Sequence, residues 1–99
     1  MTTLIDNALL DALSAEARTS ARGRKNRNFH AANDAPAQRL LNAIEPGSYV
    51  APHRHLAKDE SMLMLRGRLG LVLFDDAGAV LRTVILGVGG DALGVDLPA

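Results

Sequence analysis

The sequence has no cysteine and no tryptophan, and only one tyrosine and two phenylalanines among its 99 residues. The missing thiols exclude disulfides, thiolate nucleophiles, cysteine-based zinc sites and iron–sulfur clusters, so any metal must sit on nitrogen or oxygen ligands. With Phe29, Tyr49 and Phe74 as the whole aromatic complement, no deep stacking surface for bases or sugars is expected. Neither sign of charge is in excess: eleven Lys plus Arg balance eleven Asp plus Glu. That balance disfavours a dedicated nucleic-acid binder. Long apolar runs are absent too, and none approaches the roughly 18 residues of a membrane span. Asp6, Asp11 and Glu16 interrupt the stretch where a secretory signal would need an uncharged core. Neither nucleic acid nor membrane is therefore expected as a partner, and a cytoplasmic address is the default expectation. What is present is a 47% hydrophobic content carried by Ala, Leu and Val. It suits a single small domain that buries only about 60–65% of its unfolded surface.

Apolar residues at Leu4, Ile5, Ala8, Leu9, Ala12 and Leu13 recur at helical spacing, which predicts a short amphipathic helix within residues 1–17. A basic segment, residues 18–37, follows. It places Arg18, Arg22, Arg24, Lys25 and Arg27 within ten positions, then Asn28, Phe29 and His30. Such a run is either a solvated loop or a loop presenting Arg, Asn and His to an anionic small ligand, which guanidinium groups can chelate in a fork. Residues 37–44 have good helix propensity behind Asp34-Ala35-Pro36, and propensity alone predicts a helix there. The second half reads as strands. Leu69 to Phe74 and Ala79 to Leu86 alternate with period two around Asp75-Asp76-Ala77-Gly78, a hairpin turn of the longer kind. Met62 to Leu65 is a further apolar run, and Val95 to Leu97 begins another strand.

The chemistry-bearing residues cluster between two glycines, in the pattern Gly47-x5-His53-x-His55-x4-Glu60-x6-Gly67. On an extended backbone His53 and His55 point to one face with Cα atoms about 7 Å apart, close enough to share an ion. Glu60 lies past a short bend, where a neighbouring strand can return a carboxylate to that face. Two imidazoles and one carboxylate leave open positions on a metal, an arrangement suited to non-haem Fe(II) and tolerated by Mn, Co, Ni and Zn. For this composition the five positions coincide by chance on the order of a few times in a hundred thousand chains. A lone His-x-His would be a solvated pair more often than a ligand set; the full pattern points to a divalent transition metal.

That pattern is the first motif of the cupin superfamily, and the wider sequence resembles the WbuC family of small bacterial cupin-fold metalloproteins. The likeness runs through Arg22 to His30, Gln38 to His55, Leu65 to Gly78 and Gly90 to Ala99, covering essentially the whole chain. It implies a mainly β fold, a jelly-roll-like antiparallel barrel of the RmlC type preceded by a short helix. Residues 38–44 then become a strand leading to the histidines, against their helix propensity. The resemblance also implies His53, His55 and Glu60 as metal ligands and a basic segment folded near the barrel mouth. On that arrangement Arg24, Lys25, Asn26, Asn28 and His30 would contact the ligand. No catalytic residue is assigned. His30 stays open between a loop histidine bonded to backbone and an acid or base near the metal.

One departure stands out. A second cupin motif, with the remaining histidine ligand, would begin near Pro98-Ala99, where the sequence ends, and Ala92 stands where its glycine is expected. The resemblance thus predicts a fragment, a truncated product or a barrel completed by another chain. Poor monomeric stability and homodimer formation through strand edges follow as expectations. The functional reading is a cupin-like metal site that binds or converts a small polar or sugar-like anionic molecule, with a link to polysaccharide metabolism implied by the family resemblance. The alternatives are a non-catalytic sensing module and a truncated product without activity.

Overall fold

A computed structural model of the chain describes residues 2–51 and 58–99. They form a mainly β structure with one N-terminal helix, α1 (Asn7–Thr19), and six strands. The strands are β1 (Arg24–Asn28), β2 (Leu40–Ile44), β3 (Glu60–Leu63), β4 (Leu69–Phe74), β5 (Val80–Leu86) and β6 (Gly94–Leu97). They pair as three two-stranded antiparallel sheets, β1–β2, β3–β6 and β4–β5. The chain divides into two compact units, residues 1–51 and 52–99.

In the first unit the helix begins later than its apolar spacing predicts. Asp6 caps it: its backbone is extended and its side chain accepts the Leu9 N–H at 2.9 Å. That bond satisfies one of the amides that a helix N-terminus leaves without a partner. Leu4 and Ile5 consequently lie outside the helix, 73% and 53% exposed. The covered stripe is instead Leu9, Leu13 and Ala17 at four-residue spacing, with Leu13 and Ala17 fully buried. The helix packs on the β1–β2 hairpin. It ends beyond residue 17, at Thr19, and the chain turns through Gly23, whose φ is +66°. A Cβ there would meet Ser48 Oγ at 2.8 Å, so the position requires glycine twice over.

The basic segment is not loop throughout. Arg24–Asn28 is a strand whose register runs from Arg24 opposite Ile44 to Asn28 opposite Leu40. Nothing in Arg-Lys-Asn-Arg-Asn favours a strand by propensity. The main-chain ladder to β2 imposes it, an instance of tertiary context overriding local preference. The partner, Leu40–Ile44, is extended rather than helical, as the family resemblance implies. In the middle of that strand Leu41 and Ala43 are half-buried while Leu40 and Asn42 are exposed. This period-two burial against α1 is what the helical reading of the same residues could not supply. Pro46-Gly47 closes the strand in a type II turn, with Ser48 N–H donating to Glu45 O at 3.2 Å and Gly47 at φ +85°.

In the second unit β4 and β5 form the hairpin that period-two alternation predicts. Leu69, Leu71 and Leu73 face inward opposite Leu86, Val84 and Arg82. Val84 and Leu86 are the buried apolar residues of this unit. The turn is held by one carboxylate: Asp75 Oδ1 accepts the N–H groups of Ala77 at 2.9 Å and Ala79 at 2.8 Å. Gly78 N–H closes the turn on Asp75 O, with Gly78 at φ +87°. This is a three-residue loop ending in a left-handed glycine, and the register slips by one residue beside it. β3 and β6 pair from Glu60 opposite Leu97 to Leu63 opposite Gly94. A side chain at Gly94 would collide with the Met62 carbonyl, so the two backbones approach as only glycine permits.

Candidate functional site

Of the three expected metal ligands, Glu60 lies among the described residues, and His53 and His55, with Arg54 between them, lie outside them. Glu60 opens β3 and is half-buried, sharing a strand face with half-buried Met62 by alternation. Its position is pinned from both sides by the C-terminal strand. Ser61 Oγ donates to Asp96 Oδ1 at 2.6 Å, and Ala99 N–H donates to Asp59 Oδ1 at 2.9 Å. Glu60 itself stands opposite Leu97 in the ladder between these two contacts. The glycines that bound the motif, Gly47 and Gly67, both adopt positive φ, +85° and +76°, and nothing crowds either of them. Both conformations are those of turn glycines. No group of three or more His, Asp or Glu is gathered among the described residues.

The expected ligand-binding residues divide between two faces of the β1–β2 hairpin. Strand alternation puts Arg24, Asn26 and Asn28 on the face shared with Leu40, Asn42 and Ile44, where Asn26 stands directly opposite Asn42. Lys25 falls on the other face, opposite half-buried Ala43, and so parts from that group. His30 follows the strand. Its Nδ1 accepts the Arg39 N–H at 3.0 Å and lies 3.1 Å from the Arg39 carbonyl. The backbone-bonded reading of His30 describes the contacts it makes here.

Sequence reasoning passed over a second cluster on the same hairpin. The Phe29 N–H donates to Arg39 O at 2.7 Å, extending the β1–β2 ladder by one pair. Arg39 Nη2 returns a bond to Phe29 O at 3.3 Å, and the Arg27 guanidinium carbon lies 5.8 Å from the centre of the Phe29 ring. At that distance the cation is within reach of the ring quadrupole. Phe29 and Arg39 also border an open depression of about 470 Å³ with Thr2, Thr3 and Ile5. The signal in the sequence was the pairing of Phe29 with Arg39 across a loop, which spacing alone does not reveal.

A family model described as "Domain of unknown function (DUF6016)" matches residues 5–86. The chain belongs to this family. The match runs from just before α1 to the end of β5, so Glu60, the polar face of β1 and both bounding glycines all fall inside the DUF6016 region. Membership in DUF6016 carries no activity with it. No curated protein matches the chain significantly. No solved structure does so either. No helix among the described residues is long and apolar enough to cross a membrane.

Proposed function

We propose that the chain is a cupin-like metal-binding protein in which His53, His55 and Glu60 hold one divalent transition metal, Fe, Mn, Co, Ni or Zn. The observation that carries this reading is the complete Gly-His-His-Glu-Gly spacing, supported by the turn conformations of Gly47 and Gly67 and by the half-buried start of β3 at Glu60. The donor set fits such an ion. It is all nitrogen and oxygen, and a carboxylate withdrawn from bulk water gains more from a cation than an exposed one does. A bound ion there would supply Lewis acidity toward an oxygen of the ligand. The protein's own part is positional: the Ser61–Asp96 and Asp59–Ala99 bonds hold the strand that carries Glu60.

The same reading assigns a small polar or sugar-like anion as the ligand, with Arg24, Asn26 and Asn28 as the recognising face of β1 and Lys25 and His30 at its margins. Arg supplies charge and a fork of donors, and each Asn amide supplies both a donor and an acceptor for hydroxyl groups. A jelly-roll barrel and self-association through strand edges belong to this proposal as well. In its support, the six strands of the described residues all pair antiparallel.

Cobalt(II) titration followed by visible absorption tests the metal assignment. Wild-type protein is expected to develop d–d bands that saturate near one equivalent. His53→Ala and Glu60→Gln are each expected to weaken binding about 10–100-fold while far-UV circular dichroism stays unchanged. Bands of equal intensity in both variants would overturn the assignment.

A further inference from the structure

We propose that the depression bounded by Thr2, Thr3, Ile5, Phe29 and Arg39 binds a phosphate-monoester group carried on a small apolar body. This site is distinct from the polar face of β1. The ladder bond from Phe29 N–H to Arg39 O makes these two residues a cross-strand pair, one step beyond Asn28 opposite Leu40. By alternation the pair shares its face with Arg27 and Leu41, opposite to that of Arg24, Asn26 and Asn28.

The chemistry of the walls selects the ligand. Arg39 is anchored at the rim by its bond to the Phe29 carbonyl. That bond engages one of the five N–H donors of a guanidinium, a group whose planar fork matches phosphate oxygens. Arg27, held over the Phe29 ring, brings a second cation to the same face. Thr2 and Thr3 add hydroxyl donors without adding charge. Between residues 22 and 39 the sequence carries Arg22, Arg24, Lys25, Arg27 and Arg39 against a single acid, Asp34, so the local potential is positive although the whole chain is neutral. Beside these polar groups, Phe29 and Ile5 supply apolar lining. The depression, about 470 Å³ and open to solvent, has room for more than a bare phosphate. A guanidinium and hydroxyl groups next to apolar lining describe a site for an oxyanion with an apolar attachment.

Phenyl phosphate is the probe, titrated into the full 99-residue chain and followed by amide chemical shifts. Saturable shifts are expected at Thr2, Thr3, Phe29 and Arg39, with affinity on the order of millimolar. Inorganic phosphate, which lacks the apolar body, and phenol, which lacks the charge, are each expected to bind at least about tenfold more weakly. Arg39→Gln is expected to weaken phenyl phosphate about tenfold, with Arg39→Lys losing less because it keeps the charge without the fork. Thr3→Val, which lies outside the hairpin and leaves its ladder intact, is expected to weaken it about threefold. Arg18→Gln removes the same charge away from the depression and is expected to leave affinity within about twofold. Absence of saturable shifts up to about 20 mM would overturn the proposal. So would equal affinity in Arg39→Gln and Thr3→Val, or inorganic phosphate binding as tightly as phenyl phosphate.

Discussion

β4 and β5 are joined by residues 75–79 and pair through mostly apolar side chains, whereas β1 and β2 are joined by residues 29–39 and pair through a strand made wholly of polar residues. The first hairpin is specified locally, by alternation and by the Asp75 carboxylate that organises its turn. The second has no such local instruction. Its register depends on α1 packing against the hairpin and on fixed points at its two ends, Gly23 and the Phe29–Arg39 pair. A strand freed from core duty can spend its side chains on recognition. β1 presents Arg24, Asn26 and Asn28 on one face and Arg27 on the other, while β4 uses Leu69, Leu71 and Leu73 to build the core.

The largest effect that separates the two is expected in the core of the β4–β5 hairpin. Leu86 is 1% exposed, and Leu86→Ala is expected to cost about 2–5 kcal/mol in urea unfolding, while Leu81→Ala, 67% exposed, costs less than about 0.5. Equal midpoints for the two variants would show that β5 does not face a core. The glycines sharpen the contrast. Gly23→Ala combines a left-handed backbone with a crowded Cβ and is expected to cost about 1–3 kcal/mol. Gly78→Ala, left-handed but uncrowded, is expected to cost about 1. Hydrogen exchange should place the first loss in β1–β2 and the second in β4–β5. Asp75→Ala leaves two turn amides without their acceptor and is expected to cost about 1–2 kcal/mol, read as weaker protection of Ala77 and Ala79. Asp6→Ala removes the helix cap at about 1 kcal/mol, visible as reduced far-UV helix signal.

The β4–β5 hairpin was legible in the sequence because its period, turn residues and apolar content agree with one another. The helix was legible as an element but not at its start. Leu4 and Ile5 extend the apolar spacing, yet Asp6 is the better cap and wins the boundary. Residues 37–44 show the opposite failure. Helix propensity there is real, and only pairing with β1 makes the segment a strand, so the family resemblance carried information that local chemistry lacked. At the candidate site, spacing pointed to Glu60 and to the bounding glycines. It could not show that Lys25 parts from Arg24 and Asn26, because a run drawn as loop has no faces. Nor could it find Phe29 and Arg39 as a pair, since a ladder contact between residues ten apart leaves no periodic trace.

The metal site is the centre of the functional account, and elemental analysis of the purified protein tests it most directly. After exposure to Fe, Mn, Co, Ni and Zn and removal of loosely held ions, wild-type chain is expected to retain about one transition-metal ion, with Glu60→Gln and His55→Ala retaining far less. Less than about a tenth of an equivalent of any of these metals in folded wild-type protein would contradict it.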